Sequence, residues 1–174
     1  MAAKAVYHRG TYAELLNKRK PKVKGWLLTR EEYAKAADDS VRTQVIVSDE
    51  LLNDLVKCLL ELKYVGRCTV LRELLKHLHE NDMARLAYLA GLIDKATMQD
   101  LHCIHNIRNC WAHIKRPKLA DDSKLKKNVK KLSTVGKKKV TERNYMVSCL
   151  DAVTKCSGIL LTTLEEFEEE QKIS

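Results

Sequence analysis

Apolar side chains recur every three or four residues along most of this chain, in the pattern of helices that bury one face. The first such stripe, SDELLNDLVKCLLELKY, starts with Ser48 as a candidate N-cap and has two acidic residues in its first turn. A later stripe starts with Asp94 or Thr97 as its N-cap and is expected to end before Pro117. The periodicity as a whole predicts five helices around one core, over residues 48–64, 69–80, 83–93, 97–114 and 140–171.

The N-terminal part of the chain predicts less regular structure. Residues 1–28 are basic and poor in apolar side chains, so we expect a basic tail ahead of a single helical domain over residues 29–174. Residues 29–39 have the capping pattern of a short helix. Residues 41–47, VRTQVIV, have strand propensity, but a lone strand has no pairing partner, so we expect an extended lead-in.

The composition favours an all-α fold. The 174 residues include only one Phe, two Trp and two Pro, and 45% of them are hydrophobic. A chain of this length can bury the core of one domain. We therefore predict an all-α bundle of four to five core helices.

The cysteines and the N-terminus indicate a reducing compartment. The six cysteines fall mostly on apolar helical faces, as small buried residues do, and MAAKAVYHRG has no apolar core typical of a secretory leader. We therefore expect free thiols and a cytoplasmic protein. No stretch approaches the roughly 18 apolar residues that a membrane span needs.

The stretch RNCWAH, residues 108–113, closes the fourth predicted helix and carries the candidate chemistry. Asn109 and His113 are four residues apart and share a helical face, with Arg108 one step round. A guanidinium, an amide and an imidazole could bind an RNA phosphate, orient it and remove a 2′-hydroxyl proton without a metal. Alternatively, Arg108 and His113 are there because basic side chains stabilise a helix C-terminus.

Two other kinds of site near RNCWAH, a metal site and a reactive thiolate, have weaker support in the sequence. His102, His105, Cys110 and His113 form a string of metal-ligand types, but Cys110 points away from His102 on a helix, so no metal and no other cofactor are expected. Cys110 beside Arg108 could be a reactive thiolate, but no glycine-rich turn follows that would supply an oxyanion hole. A buried thiol is the favoured interpretation.

The segment LAYLAGLIDKATMQDLHCIHNIRNCWAHI, residues 86–114, resembles the mannitol operon repressor family. It has an alanine-rich helix, a Gly-Leu-Ile turn and a helix that closes on Arg-Asn-x-x-Ala-His. The same Arg-polar-x3-His signature is similar to that of the wider HEPN superfamily. The likeness covers residues 86–114 well and the rest of the chain only in the order of its helices.

The resemblance implies a bundle of four or five helices that commonly dimerises. Active HEPN proteins are metal-independent RNases whose Arg and His face a cleft at the dimer interface, and Arg108, Asn109 and His113 match these positions. Many repressor-like members are regulators or have no known activity. We therefore expect a metal-independent endoribonuclease of toxin or defence type or, alternatively, a non-catalytic regulator or protein-interaction module with a regulatory protein partner.

The charge of the chain fits an RNA partner. A formal net charge of +9 and an isoelectric point near 9.2 favour association with a polyanion. Residues 115–139 are dense in lysine and poor in apolar side chains, so we expect an exposed loop with at most one helical turn. Release of counterions from RNA would favour binding there. The candidate RNA-binding residues are Lys115, Arg116, Lys118, Lys124, Lys126, Lys127, Lys130 and Lys131.

The apolar surface left by short helices and a cleft motif predicts association. We expect a homodimer that uses either the helix ending in RNCWAH or the long C-terminal helix. No helix-turn-helix that would read DNA is visible.

Overall fold

The computed structural model describes residues 38–64, 69–113, 119, 122–136, 139–141 and 144–173 of the chain. Within this part of the chain, all regular structure is helical, and the predicted all-α bundle is confirmed. The six described helices are α1 (Asp38–Tyr64), α2 (Thr69–His77), α3 (Glu80–Leu89), α4 (Lys95–His113), α5 (Ser123–Lys131) and α6 (Tyr145–Ile173).

Helix α4, which carries the RNCWAH stretch, lies at the centre of the bundle. It packs against α1, α3, α5 and α6, while the two long helices α1 and α6 form the most extensive pair. One continuous core joins these helices. Its largest completely buried side chains are Trp111, Leu52, Leu59, Leu60, Ile104, Ile107, Leu125, Leu132, Leu160, Leu164 and Val45.

The connection between α3 and α4 fixes how the two helices meet. Gly91 has φ +70°, and its N–H donates to the carbonyl of Tyr88 while the N–H of Leu92 donates to Ala87. This pair of hydrogen bonds closes a helix C-terminus in a Schellman motif, which needs the left-handed conformation that glycine adopts readily. Asp94 then caps α4, because its carboxylate accepts the N–H of Thr97 at 2.7 Å.

Helix α1 starts earlier than the sequence predicted. The expectation of an extended segment at residues 41–47 was wrong, since these residues are part of α1. Ser48, predicted as an N-cap, lies inside the helix and is buried. Val45 is completely buried in the core, and this packing outweighs the strand propensity of the β-branched run. The short helix predicted over residues 29–39 falls largely outside the described residues.

Helix α5 lies where an exposed lysine-rich loop was expected, so that expectation was wrong for residues 123–131. The side chain of Asp122 caps the helix by accepting the N–H of Leu125 at 2.9 Å. Leu125, Val129 and Leu132 are buried at intervals of four and three residues. These few apolar positions suffice to dock a helix whose other faces are basic.

Helix α6 is the most apolar helix of the described chain. Its segment Tyr145–Phe167 is long and apolar enough to cross a membrane, with a mean hydropathy of 1.3, so the sequence-based exclusion of any such stretch was too strict. A helix in the core of a soluble protein can have the same length and hydropathy. In α6, four side chains are completely buried against the other helices: Cys149, Val153, Cys156 and Leu160. A soluble protein is consistent with this burial.

Candidate catalytic site on helix α4

A row of polar side chains runs along α4 where it faces α1. His105, Arg108 and Asn109 occupy positions i, i+3 and i+4, so they share one face. The Nη1 group of Arg108 donates to Oδ1 of Asn109 at 3.0 Å, and Nδ2 of Asn109 lies 3.0 Å from Nε2 of His105. The row is therefore one connected hydrogen-bond chain.

A buried carboxylate from α1 anchors this row. Oδ2 of Asp49, whose side chain is only 5% exposed, lies 3.1 Å from Nδ1 of His105 and 3.8 Å from Nε of Arg108. In its neutral form, with the proton on Nδ1, the imidazole of His105 donates to Asp49 and accepts from Asn109. A buried carboxylate that orients an imidazole in this way is a common arrangement for proton transfer.

The guanidinium of Arg108 is held only loosely by the carboxylates near it. Its Nη2 lies 3.5 Å from Oε1 of Glu50, whose side chain is 69% exposed, and its Nε atom is buried without a hydrogen-bond partner. The contacts with Asp49 and Glu50 are thus ion pairs at distances beyond a good hydrogen bond. Among the described residues, Arg108 contacts side chains. The alternative considered from the sequence was that Arg108 stabilises the C-terminus of its own helix.

The surroundings of His105 favour its protonated form. The hydrogen bond to Asp49 raises the pKa of His105, and the negative charges of Asp49 and Glu80 act in the same direction. Partial burial and the charge of Arg108 oppose this shift. Oε2 of Glu80, on α3, lies 3.5 Å from Nε2 of the imidazole. A protonated His105 would therefore meet a carboxylate on each side of its ring.

The structure brings together two of the three predicted catalytic residues. The side chains of Arg108 and Asn109 are hydrogen-bonded to each other. His113 is the last residue of α4, and its side chain lies outside the described residues. Lys115, Arg116 and Lys118 also lie outside them. The remaining predicted RNA-binding residues are exposed on α5, which packs against α4: Lys124, Lys126, Lys127, Lys130 and Lys131.

Sequence reasoning missed the partners of Arg108. His105 was considered only as a metal ligand, although its spacing from Arg108 and Asn109 already placed it on their face. Asp49 lies 56 residues from His105 along the chain, and no local pattern connects the two. Only the packing of α1 on α4 brings this carboxylate to the site.

The thiol and metal alternatives gain no support from the described residues. Burial and the charge of Asp122 raise the pKa of Cys110, which disfavours the thiolate. His102 donates from Nε2 to the backbone carbonyl of Asn81 at 2.9 Å, so this nitrogen has no lone pair free for a metal. In the described part of the chain, no three His, Cys, Asp or Glu side chains cluster as a metal site would need, and the five described cysteines are free.

Comparisons with known proteins give no assignment. No protein-family model, no curated protein and no solved structure matches this chain. The likeness of residues 86–114 to repressor-like and HEPN proteins therefore stays an expectation from the sequence.

Proposed function

We propose that this protein is a HEPN-like RNA-processing protein and that α4 supplies a metal-independent endoribonuclease site. The observation that carries the proposal is the connected row of His105, Asn109 and Arg108, held by the buried carboxylate of Asp49. It combines a permanent cation, an amide and an oriented imidazole on one helical face. These are the groups that phosphodiester cleavage needs when no metal takes part.

Arg108 would bind the scissile phosphate. Its ion pair with Glu50 is long and largely exposed to solvent, and such pairs contribute little free energy. A phosphate oxygen could therefore replace the Glu50 carboxylate at low cost and gain the two-pronged bonding that guanidinium offers. The Asn109 amide would hold the guanidinium in place through the 3.0 Å hydrogen bond.

Two imidazoles would share the proton transfers. His113 would take the proton from the 2′-hydroxyl, so that this oxygen attacks the adjacent phosphorus. Protonated His105, whose pKa is raised by the hydrogen bond to Asp49, would give its Nε2 proton to the 5′-oxygen as the bond from phosphorus to that oxygen breaks, and the deprotonated Nε2 would then accept from Asn109. One group accepts and the other donates, so the proton count balances without a cofactor.

The exposed lysines of α5 would attract the RNA. They lie on a helix packed against α4, and neutralising phosphates with lysine releases condensed counterions.

We also propose a cytoplasmic location and a homodimer. The large exposed apolar side chains of the described residues fall mainly on α2 and α3, a different surface from the helices first considered: Val70, Leu74, Tyr88 and Leu89, with Val147 on α6.

Cleavage of a labelled RNA in the presence of a chelator tests this proposal. Arg108→Ala and His113→Ala should each lower the rate ~10²–10⁴-fold, the usual contribution of such groups. Arg85→Ala and His79→Ala are matched controls, because these side chains are exposed and stand outside the row. Loss of activity in the controls as well, or full activity in Arg108→Ala, would contradict the proposal.

A non-catalytic regulator or interaction module is the second candidate. The observation that favours it is that Asp49 on α1, Glu80 on α3 and His105 on α4 are connected by ion pairs. Such a cluster can serve to hold three helices together. Wild-type protein that cuts no RNA, combined with loss of stability in His105→Ala, would favour this candidate.

A further inference from the structure

A cavity of about 430 Å³ lies between α5 and the segment that follows it. Its lining residues are Lys126, Lys130, Val135, Gly136, Lys139 and Val140. Ligand sites for small molecules have volumes of roughly 300–1,000 Å³. The cavity therefore has room for a molecule of nucleotide size, and it belongs to elements other than the row around Arg108.

The charge of the cavity is positive. Lys126 and Lys130 are one turn apart on α5 and exposed, and Lys139 approaches from the following segment. Among the described residues, no carboxylate forms an ion pair with any of these three ammonium groups. Three like charges around one space repel each other, and an anion between them removes that repulsion.

One wall of the cavity is fixed before any ligand binds. Ser133 donates its backbone N–H and its hydroxyl to the buried carboxylate of Asp100, at 2.7 and 2.5 Å, and Lys155 donates to the Ser133 hydroxyl at 2.7 Å. The hydroxyl of Thr134 donates to the carbonyl of Ser148 at 3.0 Å. These bonds anchor the turn over residues 132–136, so a ligand would not have to order it.

We propose that this cavity binds the phosphate monoester of a nucleotide, either at the end of an RNA strand or in a free mononucleotide. A monoester carries a charge of about −1.5 to −2 at pH 7, whereas a diester inside a strand carries one, so three lysines favour the terminal group. Val135, which is buried, and Val140 supply apolar surface for the sugar. This inference rests on the proposed RNA-processing function and adds a second site to it.

Calorimetric titration of the full chain tests the site. Adenosine 5′-monophosphate should bind at least about tenfold more tightly than adenosine, since exposed ion pairs each contribute a few-fold and three act together. The triple variant Lys126→Gln, Lys130→Gln, Lys139→Gln should lose this preference. The variant Lys124→Gln, Lys127→Gln, Lys131→Gln removes the same charge from another stripe of α5 and should keep it.

Fluorescence anisotropy with short RNA strands separates the two sources of the phosphate. Tighter binding of strands with a 5′- or 3′-phosphate than of strands with hydroxyl ends supports an RNA end as the ligand. Preference for the mononucleotide alone supports a free nucleotide. Equal binding of adenosine and its monophosphate, or an equal loss of the preference for the monophosphate in the two triple variants, would overturn the site.

The two proposals fail independently. A wild-type protein that cuts no RNA but prefers the monophosphate through these three lysines contradicts the endoribonuclease and supports the cavity as a phosphate site. A protein that cuts RNA and shows no such preference does the reverse.

Discussion

Replacing Asp100 by alanine should destabilise the bundle more than any other single removal of a charged side chain on α4. The carboxylate is 1% exposed and accepts hydrogen bonds from the Ser133 N–H, the Ser133 hydroxyl and Lys155. It thereby joins α4, the turn after α5, and α6. The change leaves the N–H and the hydroxyl of Ser133 without their acceptor, whereas Lys155 keeps its hydrogen bond to the Ser133 hydroxyl.

The expected cost follows from these contacts. A hydrogen bond to a charged group contributes about 1.5–3 kcal/mol net, and the two bonds from Ser133 are both short. The substitution also removes the free-energy cost of burying the carboxylate, which offsets part of the loss of these hydrogen bonds. The Lys155 ammonium, whose side chain is 38% exposed, can be solvated by water instead. We therefore expect the free energy of unfolding to fall by about 3 kcal/mol, a large share of a typical total of roughly 5–15 kcal/mol.

Urea denaturation followed by circular dichroism measures this change. Ser133→Ala should cost about 1 kcal/mol, and a double-mutant cycle between Asp100 and Ser133 should give a coupling energy of at least ~1 kcal/mol. Arg85→Ala is the control, because its exposed ion pair with Asp82 should contribute no more than ~0.5 kcal/mol. A fall below about 1 kcal/mol for Asp100→Ala would refute the reasoning.

Three further outcomes are expected. The hydrogen bond to Asp49 raises the pKa of His105. The stability that this hydrogen bond contributes is therefore fully present below the pKa of an unfolded histidine, about 6.5, and is lost as the pH rises through the folded value. Urea titrations should thus show the difference between wild type and His105→Gln shrinking with pH, and a growing difference would contradict this. Trp111→Ala should cost ~3–5 kcal/mol, because the side chain is 1% exposed, and a loss under 1 kcal/mol in the same assay would contradict its burial. Burial raises the pKa of Cys103 to about 11 and of Cys156 to about 12, so mass spectrometry should find both alkylated only after unfolding.

The fold was predictable from the sequence as far as helical periodicity carries it. The stripes before Gly66 and before Pro117 gave helices in the right places, and Asp94 was one of two caps considered. Helical periodicity is not visible in the sequence where the local composition conceals it. Few apolar residues among many lysines hid α5, and the β-branched run around Val45 suggested extended chain although the core buries it.

The site was predictable only in its local part. Arg108 and Asn109 are neighbours in sequence, and helical spacing alone placed them together. The carboxylate of Asp49 comes from a helix far away in sequence, and its approach to His105 depends on how α1 packs on α4. No pattern within one helix carries that information.

The proposed RNA cleavage is tested most directly with one pair of substrates. The 2′-hydroxyl is the proposed nucleophile, so wild-type protein in excess chelator should cut a single-stranded RNA and leave the DNA strand of the same sequence intact. Arg108→Ala should cut neither, with its helical content unchanged. Equal cutting of both strands, loss of RNA cutting on adding chelator, or no cutting by wild type would contradict the account.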